Sequence, residues 1–336
     1  MTANHGDDAA TAPAAADRNG AGFDVIAMGR LGVDLYPQRV GVPLAEVELF
    51  GRYLGGTAAN VAVAAARHGR RVALVSRTGA DPFGDFLHAA LRGYHVDDRW
   101  VTPVADLPTP ITFCEIFPPD TFPIWFYRYP TAPDLRIRPE ELPAAAIADA
   151  GLLWLTGTGF SAEPSRAAHR AALAARGRAA HTVLDLDYRP TLWPDRAEAR
   201  AVMAAALGSV TVAVGNLDEC EIAVGERDPD RAADALLDAG VELAIVKRGP
   251  AGVLARTADE RLVVPPVPVE VVNGLGAGDA FGGALCHGLL AGWPLADTIA
   301  FANAAGALVA GRLACSADMP ATDEVLSLVR EAAADA

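Results

Sequence analysis

Cysteine is scarce: Cys114, Cys220, Cys286 and Cys315 are the only four in 336 residues, and no two form a Cys-x-x-Cys pair. Their spacing excludes a disulfide scaffold and a thiolate zinc site, no histidine stands at metal-ligand spacing, and the thiols read as reduced and mostly buried. Basic residues are also few, 28 against 42 acidic ones, for a formal net charge of −14. Such acidity argues against nucleic acid or an anionic membrane as partner, and an anionic substrate then needs locally placed cations. No run of about 18 apolar residues escapes a charge or a proline, and residues 1–22 lack the apolar segment of a signal peptide, so a cytoplasmic protein is expected. Gly-Lys-Ser/Thr occurs nowhere, which removes the Walker A loop.

Against these absences, 51% of the residues are hydrophobic. Short Val/Ile/Leu runs alternate with Ala-rich helical stretches, the pattern of an α/β fold with a parallel sheet. Residues 1–22, rich in Ala, Asp and Gly without periodicity, read as a disordered leader, and no repeat or linker divides residues 23–334. Strands are expected over Phe23–Met28, Arg71–Arg77, Gly151–Thr156, His181–Asp185, Val210–Val214 and Leu243–Val246. Helices are expected over Pro82–Gly93, Glu163–Arg176, Arg196–Leu207 and Leu295–Arg312, and from Thr57 as N-cap to His68, with Gly69 as the stop, and Thr322–Ala334 closes the fold. Thr109–Leu135 breaks this rhythm: Ile111–Phe117 and Ile124–Arg128 flank a Pro-Pro-Asp turn and read as an aromatic β-hairpin.

The stretch Val272–Gly288 organises the rest, ending a strand and opening a helix. Gly274, Gly276 and Gly278 carry no Cβ, so backbone N–H groups can converge with the positive end of the helix on one anion. Asp279 stands at the mouth of that hole, where a carboxylate can take a proton from a nucleophile while the anion is held, and the helix end is expected to keep it ionised. Base and anion hole together point to phosphoryl transfer. Taken alone, a Gly-rich turn with an acidic cap is a common helix start. The Rossmann spacing fails, because Asp279 or Phe281 stands where its third glycine belongs.

Gly276-Ala277-Gly278-Asp279, followed by Ala280-Phe281, resembles the C-terminal signature of the ribokinase-like (PfkB) carbohydrate kinases, and the resemblance runs from Phe23 over nearly the whole chain. It implies a three-layer α/β sandwich with a central, mostly parallel sheet and a small β-sheet lid from about 36–56 and 109–135. Asp279 becomes the catalytic base, with Gly276, Ala277 and Gly278 around the transferring phosphoryl group. Asp34, which alone could be a turn residue at the end of the first strand, becomes a ligand of the sugar, as do Gly56 and Asn60 in Leu54-Gly55-Gly56-Thr57-Ala58-Ala59-Asn60. Phe126-Tyr127-Arg128 is similar to the lid of kinases acting on sugar acids, whose arginine grips the carboxylate bidentately. Arg189, in Asp185-Leu186-Asp187-Tyr188-Arg189-Pro190, and Arg30 are further contacts to substrate or phosphate, although Arg189 could instead pair with Asp185 or Asp187.

Asn216-Leu217-Asp218-Glu219 resembles the family's Asn-x-x-Glu motif, in which Asn216 and Glu219 organise Mg²⁺ through water; read alone it is a helix cap. Lys247, Gly249 and Gly252 are similar to the nucleotide loop Lys-x-Gly-x-x-Gly. Asn303 and Gly306 fall where the family packs adenine, and Gly306 equally suits close helix packing. The resemblance implies ATP and Mg²⁺ as cofactors and a sugar acid as acceptor, with room for a homodimer joined through the lid. Gly29–Tyr36, Thr121-Phe122-Pro123, Tyr127-Arg128 and Asn273 are similar to the branch acting on 5-dehydro-2-deoxygluconate in myo-inositol catabolism. Kinases of 2-keto-3-deoxygluconate, fructose or ribose are the alternatives, and outside enzymes a silent sugar-binding regulator, against which the intact Asp279 speaks. Most of the family has Asp-Thr where this chain has Asn273-Gly274, and that Asp helps bind a monovalent cation, so K⁺ activation is in doubt.

Overall fold

The computed structural model describes residues 22–334, so the disorder expected of the leader falls, except at Gly22, outside the described residues. In chain order the elements are β1 (Val25–Met28), β2 (Gly32–Pro37), β3 (Phe50–Gly55), α1 (Thr57–Arg67), β4 (Val72–Gly79), α2 (Pro82–Gly93), β5 (Val96–Val104), β6 (Ile111–Cys114) and β7 (Ile124–Tyr127). There follow α3 (Ala144–Asp149), β8 (Leu152–Thr156), α4 (Ser165–Arg176), β9 (Thr182–Asp185), α5 (Arg196–Leu207), β10 (Val212–Asn216), α6 (Leu217–Val224), α7 (Pro229–Asp238) and β11 (Leu243–Lys247). The chain closes with β12 (Val253–Arg256), β13 (Arg261–Val264), α8 (Ala277–Ala291), α9 (Leu295–Ala310) and α10 (Thr322–Ala334).

Nine strands form one sheet in the order β13-β12-β11-β10-β9-β8-β1-β4-β5. From β11 to β5 neighbouring strands run parallel, and only β12 and β13 pair antiparallel at one edge. All five residues of β8 and all four of β1 are buried, as strands covered on both faces must be. One apolar core lies between the sheet and α1, α2, α8, α9 and α10; a second lies between the opposite face and α3 to α7. This is the expected layering. No helix among the described residues is long and apolar enough to cross a membrane.

A second sheet of four strands, β3-β2-β6-β7, is antiparallel except where β2 meets β6. It begins at Gly32 rather than near residue 36, which puts Asp34 on a strand of the small sheet and not in a loop after β1. Its register sets Asp34 beside Thr112 and Thr112 beside Phe126 on one face, and Leu35, Phe113 and Trp125 on the other.

Two further expectations are corrected. The stretch before α8 ends no strand: after β13 the chain runs without regular structure, and Pro265, Pro266 and Pro268 deny it ladder donors. Thr57 does not cap α1 but is its first residue, and Gly56 takes the cap position at φ 100°. A Cβ there would stand 2.5 Å from the Arg30 carbonyl oxygen, so a side chain is barred by backbone as well as by φ. The strands β5, β12 and β13 and the helices α3 and α7 were not foreseen.

Candidate active site

The carboxyl ends of the parallel strands, the N-terminus of α8 and the inner face of the small sheet meet around one cavity, where ligands of open α/β sheets bind. Gly276 caps α8 in the left-handed region at φ 82°, and a Cβ there would run into the Cys315 side chain. With that turn made, the N–H groups of Ala277, Gly278 and Asp279 have no carbonyl a turn earlier to bond, and they are free to meet an anion.

Asp279 lies in the first turn of α8, and its Oδ2 accepts a hydrogen bond from Asn60 Nδ2 at 2.8 Å. Burial pushes its carboxyl up to about 6, although the Asn60 bond and the Arg30 and Arg189 charges pull the other way. The helix end therefore does not decide its basicity; desolvation does. If Asp279 must be ionised to act, kcat/KM should climb about tenfold per pH unit up to near 6 and then level off. A flat profile from about pH 5 to 7 would remove Asp279 from the role of base.

Arg30, Asp34, Gly56, Asn60, Arg189, Gly276 and Asp279 all line the cavity. Asp34 accepts from Tyr36 Oη at 3.1 Å, and burial raises its carboxyl to about 6 against the opposing Arg30 charge. Gly55 allows this approach, because any Cβ there would overlap the Asp34 carboxyl. Arg30 Nη2 donates to Thr57 Oγ1 at 2.5 Å, its guanidinium sits 5.2 Å from the Phe126 ring centroid, and its buried Nε has no partner. Asp187 stands between two arginines, 3.8 Å from Arg30 Nη2 and 3.1 Å from Arg189 Nε. Burial alone would raise the Asp187 carboxyl, but Arg189, Arg30 and the Thr158 hydroxyl together hold it below its usual range.

Other expected residues are placed differently. Arg128 does not line the cavity: its Nη2 bonds both oxygens of Asp134, at 2.9 and 2.8 Å, in a pair that is almost fully buried. Asn216 and Glu219 form a reciprocal capping box at the start of α6, with Asn216 Oδ1 accepting from the Glu219 N–H and Glu219 Oε2 from the Asn216 N–H. Among the described residues no group of three or more His, Cys, Asp or Glu side chains could hold a metal. One buried carboxylate such as Glu219 nevertheless suits Mg²⁺, which keeps most of its waters. Gly249 and Gly252 turn at φ 56° and 80°, and Asn303 Nδ2 donates to the Pro265 carbonyl at 2.7 Å. Gly306 packs α9 against the first turn of α8, where a Cβ would come within 2.9 Å of the Ala277 carbonyl oxygen.

Tyr36, Thr112, Cys114 and Cys315 also line the cavity and escaped the sequence reading. A signal for two of them was present: in Ile111–Cys114 the small or polar residues alternate with large apolar ones, and Thr112 and Cys114 share a face. Cys315 had none, since only the folded chain carries its Sγ to within 2.8 Å of Tyr36 Oη. Ser316 Oγ donates to the Leu54 carbonyl at 2.7 Å, a second tie between the small sheet and the loop beyond α9.

Residues 23–322 match the model of the pfkB family carbohydrate kinases. A 5-dehydro-2-deoxygluconokinase of Photobacterium profundum is 34% identical over 316 residues, 90% of this chain and 93% of that protein. Among solved structures, a provisionally named ribokinase II from E. coli in complex with ATP and Mg²⁺ superposes with a TM-score of 0.83 at 23% identity, covering 92% of this chain and 99% of that one. A Vibrio cholerae fructokinase with fructose, ADP and a potassium ion gives 0.80 at 24% identity, over 91% and 97%.

Proposed function

Since the chain belongs to the pfkB family of carbohydrate kinases, we propose that it transfers the γ-phosphoryl group of ATP to a hydroxyl of a sugar acid, namely 5-dehydro-2-deoxy-D-gluconate. The observation that carries the acidic acceptor is the pair of guanidinium groups, Arg30 and Arg189, opening on the same cavity as Asp279 in a chain of net charge −14. Here Arg30 takes the part first expected of Arg128. Its unpartnered Nε leaves a donor for a carboxylate, and Asp34 and Asn60 hold the sugar hydroxyls. Asp279 accepts the acceptor's proton, and the N–H groups of Ala277 to Asp279 hold the transferring group, so positioning and electrostatics supply the rate. Glu219 and Asn216 would hold Mg²⁺ through water, which neutralises charge on the phosphates.

Release of ADP, followed by a coupled assay over 5-dehydro-2-deoxygluconate, 2-keto-3-deoxygluconate, fructose and ribose, tests this reading. The first acid should give the highest kcat/KM; a neutral sugar in first place refutes an acidic acceptor. Residues 23–334 act as one catalytic unit with the small sheet as its lid. On the lid's outer face Phe50 and Tyr127 stack on Phe113, and Trp125 and Tyr127 are 53% and 61% exposed, which supports a homodimer joined there and measurable by sedimentation. Four unpaired, buried cysteines are in keeping with a reducing cytoplasm.

A monovalent cation does not fit beside Asn273. Its Oδ1 accepts from the Leu275 N–H at 3.0 Å, which fixes the amide's orientation and turns Nδ2 onto the Leu313 carbonyl at 2.7 Å. An N–H donor thus stands where a cation would meet that oxygen. Activity in KCl should match activity in tetramethylammonium chloride within about twofold, and Asn273→Asp should introduce a K⁺ requirement. Strong K⁺ activation of the native enzyme would sink this assignment.

A further inference from the structure

Lys247 is the only lysine in the sequence, although 28 residues are basic; every other cationic side chain that does not titrate near neutrality is an arginine. A chain that uses arginine everywhere else and lysine once marks a position where a compact ammonium fits and a broad planar fork does not. Lys247 ends β11 in register with Asn216 at the end of β10, whose Val214 is level with Asp185 on β9. Its side chain reaches across these strand ends to α8, and a Cβ on Gly278 would stand 3.1 Å from Nζ. Glycine at position 278 therefore leaves the ammonium room beside the anion hole.

The ammonium is unpaired. Among the described residues no carboxylate oxygen lies within 4.0 Å of it, and no hydrogen bond engages it, although it is half-buried. Burial opposes its charge, yet Asp185, Glu219, Asp279 and Asp187 surround it at longer range and hold its pKa above the usual lysine value. A half-buried positive charge with no partner in contact is costly unless an anion completes it.

We propose that Lys247 is a catalytic residue of the phosphoryl transfer: its ammonium contacts the γ-phosphoryl group held at Gly276–Gly278 and stabilises the charge that spreads over its oxygens. It stays protonated throughout and moves no proton. Asp185 at the end of β9 and Glu219 in the first turn of α6 act on it only at longer range. This role rests on the kinase reading and not on the identity of the sugar.

Lys247→Met should lower kcat by about 10²- to 10³-fold, the range for removing one preorganised donor to a transition-state anion. The affinity for ADP should change by less than about threefold, while the preference for a non-hydrolysable triphosphate analogue over ADP should vanish. In Lys247→Ala, ethylammonium should restore part of the rate in a saturable manner. A kcat within about threefold of the native value, or equal losses of ADP and triphosphate-analogue affinity, overturns the proposal and leaves Lys247 a nucleotide anchor. If the variants fail to fold, the native protein still decides, because the sole lysine makes amine acylation a one-residue reaction apart from the N-terminal amine. Peptide mapping should find Lys247 protected by the triphosphate analogue with Mg²⁺ but not by ADP with Mg²⁺, and equal protection refutes the contact. The nucleotide affinities and the acylation protection use no sugar, so a failed acceptor screen refutes the sugar-acid reading and leaves this one to be decided by them.

Discussion

Asp279→Asn is expected to lower kcat by about 10²- to 10⁴-fold with little change in ATP affinity, the usual consequence of removing a positioned base. The asparagine keeps an oxygen for the Asn60 amide, which donates to Asp279 Oδ2 at 2.8 Å, so the site should keep its shape. Stability should move the other way. A carboxylate whose pKa rises to about 6 on folding, from an ordinary 3.8, is charged in the fold at a cost. That cost is complete above about pH 6 and gone below about 3.8, so it weighs fully at neutral pH and the neutral amide relieves it. Near pH 7.5 the melting temperature of Asp279→Asn should hold or rise while the rate collapses. A loss of rate accompanied by a fall in melting temperature would instead mean that the substitution had damaged the fold.

Replacing Arg30 by Met should lower kcat/KM for 5-dehydro-2-deoxygluconate by roughly 10- to 150-fold, the 1.5 to 3 kcal/mol of a charge-assisted bond in a closed site. Turnover of neutral ketoses and the KM for ATP should change little, because the loss concerns a carboxylate that neither carries into this contact. Arg128→Met is the contrasting variant. It leaves Asp134, 3% exposed, buried without its cation, a change worth about 3–5 kcal/mol of stability. Acidic and neutral acceptors should then lose activity alike, together with a lower melting temperature. Were Arg128→Met selective and Arg30→Met not, the carboxylate would belong to the lid arginine after all.

The contrast between these arginines marks how far the sequence carried. Val/Ile/Leu runs and Ala-rich helices announced the parallel sheet and its covering layers, because a strand buried on both faces has few other ways to be written. The Gly276–Asp279 turn was legible for a similar reason: a backbone that must pass Cys315 with positive φ accepts only glycine. The pairing of Arg128 was not legible, because its neighbours in sequence, Phe126 and Tyr127, do not disclose a partner six residues on. Asp134 belongs to a short turn that carries no periodicity, yet it is the group that engages the guanidinium. Asp34 was read at the right position but on the wrong element, since β2 follows β1 after three residues and the change of sheet leaves no gap in the pattern. Lys247 was noticed for its spacing and not for its solitude, which only the count of lysines reveals.

The distribution of sulfur has a consequence of its own. Cys220 and Cys286 are wholly interior to the two apolar cores, whereas Cys114 and Cys315, packed at the edge of the same core as Cys286, also line the cavity, the one on the small sheet and the other behind Gly276. All four are buried, so a thiol reagent finds none of them in the closed molecule. A thiol reagent that labels Cys114 and Cys315 well before Cys220 and Cys286 would report lifting of the small sheet, and simultaneous labelling of all four would report unfolding alone. Timed thiol labelling of the two pairs thus distinguishes movement of the small sheet from melting of the body beneath it.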